Sequence, residues 1–402
     1  MNNNTNFIGQ HIFSQLNILC KRAELSSVIL ATKADHYYKK LKCYEHFISM
    51  LFCAVSGSSS LREIVGGLSV AQGKLKHLDI DYVPPKSTLS DGNKQRPASV
   101  FKNIYMHLYQ KYKPSLSDST LPKSILNQLY LMDSTVFGLF KAILKTSGRY
   151  SLDGKRKGGI KKNTIIEGNS LMPCFIQFNA AADNDQQIYK ALNLPSGSYI
   201  VFDKGYNNYA QFATFTKNKI YFVTRQKENA LYSSQYECLH DAETPESILK
   251  EETILQTYTD ENKTSQTLRL RRIAWLDEKR NITYELITNN FLLDAITIVN
   301  LYRYRWKIEL FFKKLKQNFP LNYFVGDNQN AIEIQIWCTL TALLLLSIQH
   351  KQHQPKMAFS VFVSIIRLHL FNYTSLADLM KHYKAKPPPV VQSDLFMVHP
   401  AF

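Results

Sequence analysis

Four residues in one short segment, Tyr302, Arg305, Glu309 and Lys316, are of types that handle phosphate and metal ions: a phenol, a carboxylate and two cations. At about 100° per residue they fall at roughly 0°, −60°, −20° and −40° around an α-helix, so a single face would carry all four. Ile308, Phe311, Leu315 and Phe319 fall on other faces and can pack that helix against a sheet. A carboxylate among cations suits a phosphate and a divalent cation better than a core. By itself the segment reads equally as an amphipathic helix with a solvated, lysine-rich face. Two more acids weigh against that. Asp133 and Asp203 end the apolar runs 129–132 and 198–202, which read as buried strands. Three carboxylates meeting at a sheet edge can hold two Mg2+ ions about 3.5–4 Å apart, one activating an attacking oxygen and the other stabilising the leaving oxygen.

Such acids need a sheet and flanking helices to position them. Strands are expected at 129–132, 173–182, 198–202 and 220–223, with helices at 186–194, 209–216 and 295–319. Alternating elements indicate an α/β sheet, whose ligands sit beyond the carboxyl ends of the strands, where Asp133 and Asp203 would lie. Segments 252–258, 267–276 and 282–288 alternate Thr, Ile, Tyr and Leu with polar residues, as in an antiparallel β-rich insertion. Before residue 127 the texture is helical. Ser60 is a candidate N-cap with Glu63 as its capping-box partner, and Pro84-Pro85 breaks the chain ahead of a helix start at Ser87. Segment 1–126 carries sixteen basic and eight acidic residues, the composition of a small basic helical domain. Ser87–Arg96 is either a recognition helix or a capped connector.

The 402 residues are 45% hydrophobic and 20% charged, which excludes disordered, collagen-like and mini-protein classes. The net charge of +17 favours a polyanionic partner or an acidic membrane surface. The six cysteines form no CxxC pair, so a reducing compartment and no zinc finger are expected. The N-terminus has no secretory pattern, and the apolar stretch 336–348 is short of the about 20 residues that span a bilayer. A buried helix is therefore expected there, with no membrane partner and a cytoplasmic location. Nucleic acid becomes the favoured partner.

Tyr302-x2-Arg305-x3-Glu309-x6-Lys316 resembles the Tyr–Arg–Glu–Lys signature of bacterial insertion-sequence transposases of the Asp-Asp-Glu (DDE) type, the insertion sequence 4 group. Asp133 in Leu131–Thr135 looks like that family's first aspartate, and Asp203 in Phe202–Tyr206 like its second. Phe222–Arg225, Thr288-Asn289, Ser60–Ile64 and Ser87–Ser90 are similar too, so the resemblance covers nearly the whole chain. One departure is Asn163, where many relatives carry histidine.

The resemblance implies a ribonuclease-H-like catalytic domain over 127–402, with the β-rich insertion at about 226–290 and a helical region at about 327–402. A small all-α DNA-binding domain over 1–126 would recognise terminal inverted repeats. Asp133, Asp203 and Glu309 would ligate two Mg2+ or Mn2+ ions, for cutting transposon ends and joining the 3′-hydroxyls to target DNA. Tyr302, Arg305 and Lys316 would position phosphate, with Tyr302 not a nucleophile. Double-stranded DNA is the implied partner, and a homodimer the form that bridges two ends. Relatives that pass through a DNA hairpin flip a base onto an aromatic ring, which makes Trp275 a candidate platform; a tryptophan packed in a β-core is the alternative. Lys141–Lys162 holds eight basic residues against one acid, with four glycines, and is expected to be a flexible loop whose Lys155, Arg156, Lys157 and Lys161 run along DNA. Other classes remain: an idle DNA-binding regulator derived from such an enzyme, a metal-dependent nuclease without strand transfer, and a tyrosine recombinase, which lacks its His/Arg cluster.

Overall fold

Helices fill the first third of the chain because apolar residues recur there at three-and-four spacing between strong stop signals. The computed structural model describes residues 9–116, 122–126, 128–138, 148–150, 156–180, 188–189, 191–237, 245–260, 262–319, 321 and 323–381. Helices α1 (Ile12–Asn17), α2 (Arg22–Ala31), α3 (Cys43–Ser56), α4 (Leu61–Val70), α5 (Lys86–Gln95), α6 (Ala98–Tyr112) and α7 (Lys123–Leu126) come first. Ser60 caps α4, accepting from the Glu63 amide at 3.3 Å, while Glu63 Oε2 accepts from the Ser59 amide at 2.8 Å. The capping box therefore closes one residue earlier than its ideal form.

Ten strands follow among the described residues: β1 (Leu129–Gly138), β2 (Gly148–Tyr150), β3 (Arg156–Glu167), β4 (Pro173–Ala180), β5 (Tyr199–Val201), β6 (Tyr221–Arg225), β7 (Ser233–Glu237), β8 (Ile248–Thr259), β9 (Ser265–Asp277) and β10 (Ile282–Thr288). Helix α8 (Tyr209–Lys217) lies between β5 and β6. After β10 come α9 (Ala295–Tyr304), α10 (Trp306–Asn318), α11 (Gln329–His353), α12 (Phe359–Leu368) and α13 (Leu376–Lys381). One mixed sheet orders the strands β2-β3-β1-β5-β6-β10-β9-β8-β7, with β4 on β3. β1, β5 and β6 run parallel, β3 and β4 antiparallel. β7 to β10 form an antiparallel array that continues the same sheet by pairing β10 with β6.

One expectation changes and another holds at greater length. Residues 156–162 are not a loop: β3 begins at Arg156 and pairs antiparallel with β4 from Ile160↔Ala180 onward. The glycines and lysines suggested a loop, but Ile160, Thr164, Ile165 and Ile166 supply β-branched residues that hold a strand together. Arg156, Lys157 and Lys161 thus sit in β3, while Lys155 and the expected helix start at 186 lie outside the described residues. The apolar stretch 336–348 is the middle of a 25-residue helix, α11, because Glu333, Gln335 and Gln349 are tolerated inside it. By length and composition α11 could cross a bilayer, yet 94% of its most apolar window is buried in the protein.

Two compact units divide the chain, one of residues 1–116, 138–146 and 313–402, the other of 117–137 and 147–312. In the first, α11 packs against α3, α5, α6 and α12. The N-terminal helices therefore build a core around a C-terminal one. In the second, Met132, Ile165, Ile200, Phe202, Phe212, Phe222 and Ile287 lie buried together, with the Phe212 and Phe222 rings stacked 4.1 Å apart. Burying aromatic rings of this size fixes the central strands, at roughly 1.5–3 kcal/mol per side chain.

Candidate active site

Register brings the two aspartates together. β1 pairs β5 as Leu129↔Tyr199, Tyr130↔Ile200 and Leu131↔Val201, and two residues past that last pair stand Asp133, still in β1, and Asp203, just beyond the end of β5. Asp133 does not end its strand as expected, since β1 runs on to Gly138; it stands just past the last pair with β5. Alternation then turns Met132 and Phe202 into the core and leaves the acids at the rim. β6, the next parallel strand, ends in Arg225, whose Nη2 donates to Asp203 Oδ1 at 2.8 Å. Sequence reasoning missed Arg225. Its signal is a basic residue closing an apolar strand at the same sheet edge as the acids.

The helical part of the site follows β10. Asn290 Oδ1 accepts from the amides of Leu292 and Leu293, and Asp294 caps α9 through the Thr297 amide at 2.7 Å. The expected continuous helix over 295–319 is corrected to two. At Arg305 the backbone tightens, the Arg305 amide bonding Tyr302 and the Ile308 amide bonding Arg305. These are three-residue turns in place of four-residue ones. Arg305 thereby sits at the joint, with Nη2 donating to Glu309 Oε1 at 2.6 Å and Nη1 3.5 Å from Asp133 Oδ2. Its guanidinium also lies 5.8 Å from the centre of the Tyr302 ring.

Asp133, Arg305 and Glu309 thus form one set of ion pairs and Asp203 with Arg225 another, the two coupled by charge, with Tyr302 against Arg305. Burial is the main cause pushing the Asp133 carboxyl up to about 6; Glu309 and Asp203 add to the rise, and Arg305 opposes it. Burial also acts to raise Asp203, but the charge and hydrogen bond of Arg225 outweigh it and hold that carboxyl below its usual range. Burial raises the Tyr302 phenol to about 12, so it stays protonated and is a poor nucleophile. Burial works against the charge of Arg305, yet Tyr302 and the three acids keep its guanidinium above its ordinary value.

Among the described residues, no three His, Cys, Asp or Glu side chains close on one point as metal ligands do. The acids face guanidiniums instead, with Arg305 between Asp133 and Glu309 and Arg225 on Asp203. The donor set itself, three carboxylates partly open to solvent, fits hard divalent ions.

Lys316 lies further along α10, in the helical unit, and is exposed. Trp275 is only 6% exposed in β9, stacked on Tyr284 at 5.5 Å, with Arg303 of α9 over its ring at 5.8 Å. In this state its ring packs within the sheet and is not open to a base. Asn163, fully buried in β3, has Oδ1 3.5 Å from the Tyr206 hydroxyl.

The chain is similar to known proteins over most of its length. A family model described as a transposase DDE domain matches residues 126–345, more than half of the chain, and a domain of unknown function matches 8–81. The chain is 28% identical over 76% of its length to a putative transposase, y4zB, of Sinorhizobium fredii, covering 82% of that protein. It is 24% identical to the putative transposase for insertion sequence element IS4SA of Synechocystis sp., over 65% of this chain and 71% of that one. It is 22% identical to the probable transposase for insertion sequence element IS5377 of Geobacillus stearothermophilus, over 70% and 72% of the two chains. The chain belongs to the transposase DDE domain family and is a DNA transposase of the bacterial insertion-sequence kind.

Proposed function

We propose that this transposase cuts double-stranded DNA at transposon ends and joins the freed 3′-hydroxyls to target DNA, using Asp133, Asp203 and Glu309 as ligands for two Mg2+ or Mn2+ ions. The observation that carries this is the register of β1 on β5, which sets Asp133 beside Asp203, together with the Arg305 guanidinium that ties Asp133 to Glu309. Bound there, the ions would activate the attacking oxygen and stabilise the leaving one. Both cutting and joining are in-line phosphoryl transfers, so one set of residues serves both.

This chain's own residues do the rest. Arg305 and Lys316 position the scissile phosphate, one as a planar fork and the other as a point charge. Tyr302 lines the site as a neutral phenol. The strand order β4-β3-β1-β5-β6, an antiparallel hairpin beside three parallel strands, supports a ribonuclease-H-like arrangement for the catalytic domain. The basic strand residues Arg156, Lys157 and Lys161, with Lys155, run along the DNA backbone. Residues 1–126 recognise terminal inverted repeats, and two copies of the chain act as a dimer across two ends. The setting is the bacterial cytoplasm.

Incubating the protein with DNA from the borders of its own gene, in Mg2+ or in Ca2+, tests this. Wild type is expected to nick at the element boundary in Mg2+ only. Asp203→Asn is expected to bind the same DNA and leave it uncut; Mg2+-dependent cutting by that variant would refute the ligand assignment.

A further inference from the structure

Arg225 and Arg305 raise a question that the chemistry of cutting does not answer. If divalent ions settle on the three acids, two guanidiniums already there must go somewhere. Arg225 reaches Asp203 at 2.8 Å, and Arg305 reaches Glu309 at 2.6 Å and Asp133 at 3.5 Å. Neither guanidinium is fully satisfied, because the Nε of each is buried without a hydrogen-bond partner. Buried polar atoms are nearly always paired, so the arrangement is one of waiting. Charge balance agrees: two guanidiniums face three carboxylates and leave one negative charge uncompensated, whereas two divalent ions reverse the sign.

We infer that Arg225 and Arg305 are exchangeable counter-ions, which hold the acids in the ion-free enzyme and pass to DNA phosphate oxygens when divalent ions replace them. The inference rests on the acids being the ion ligands. A guanidinium a few ångströms from a bound divalent ion is repelled by it, and phosphate is the anion whose geometry matches the planar fork. Arg225 is well placed to move, being 30% exposed at the tip of β6. The exchange makes ion and DNA each raise the other's affinity, since coupling between two ligands is reciprocal. It also keeps the acids largely compensated until ions and DNA are present.

The test compares DNA affinity with and without ions. Fluorescence anisotropy with a duplex spanning the border of the protein's own gene would be measured in EDTA and in Ca2+, for wild type, Arg225→Gln and Arg225→Lys. In EDTA, where Arg225 is engaged with Asp203, Arg225→Gln is expected to bind DNA within about twofold of wild type; in Ca2+ it is expected to bind on the order of tenfold more weakly, the worth of one charge-assisted contact. Arg225→Lys should recover part of that loss. An equal loss in both conditions overturns the exchange, since a plain phosphate ligand needs no ion, and no loss in either condition overturns it too. Mn2+ binding followed by electron paramagnetic resonance separates this from failure of the premise. If Asp203→Asn binds Mn2+ as wild type does, the acids are not the ligands and both ideas fall. If Asp203→Asn loses Mn2+ while Arg225→Gln weakens DNA equally in EDTA and Ca2+, the exchange alone falls.

Discussion

Asp133 is the side chain whose surroundings change its chemistry most. Burial pushes its carboxyl up to about 6, which places a proton on it in mildly acidic solution. A divalent ion binds only the ionised form, so the proton competes with the ion. The sign follows: above the raised value the carboxylate is free and ion affinity is flat, and below it affinity falls as pH falls. Nicking at sub-saturating Mg2+ should therefore drop through pH 6 by about tenfold per unit, and saturating Mg2+ should move the midpoint to lower pH. A profile flat down to pH 5, at sub-saturating Mg2+, would show that Asp133 is not a limiting ligand. The types and spacing of Asp133, Asp203 and Glu309 were legible in the sequence. The raised carboxyl was not, because it depends on what buries the residue.

Elements were legible where one face is buried and one is wet. The three insertion strands and the cap at Ser60 follow from alternation and from local hydrogen-bond chemistry, which need no distant partner. The break between α9 and α10 did not show, because the residues around Arg305 all favour helix and the joint is made by an ion network with β1. β3 was hidden for another reason, since its first half is rich in glycine and lysine, which read as a loop until the strand is paired with β4. The turn after β3 has its own consequence for the site. The Gly168 amide donates to the Leu129 carbonyl at 2.7 Å, and the Gly168 carbonyl accepts from the Tyr304 hydroxyl at 3.1 Å, fastening α9 to the start of β1. A Cβ at Gly168 would meet Leu129 side-chain carbons at 2.9 Å. Gly168→Ala should destabilise the protein by about 1–3 kcal/mol through overpacking, read as a lowered midpoint in denaturant. An unchanged midpoint would mean that the turn yields freely and positions nothing.

For the molecule as a whole, charge is the property that sequence alone establishes, and it governs encounter with DNA. The net charge of +17 draws sixteen of its basic residues from the first 126 positions, against eight acids. In that helical part some of this charge is spent internally: Arg96 is fully buried, bonded to the Leu41 carbonyl and to His46, and Lys111 and His107 share Glu24. The sum of charges therefore overstates the number of phosphates that can be met. Release of counterions gives a slope of log affinity against log salt of about −0.9 per phosphate contacted. If six to ten phosphates are met, duplex affinity should fall by roughly 10³–10⁵ between 50 and 200 mM salt. With Ca2+ present the slope should steepen by about 0.9 for each guanidinium released from the acids to a phosphate. Equal slopes with and without Ca2+ would mean that the ions change only the acids, and that Arg225 and Arg305 stay where the ion-free molecule holds them.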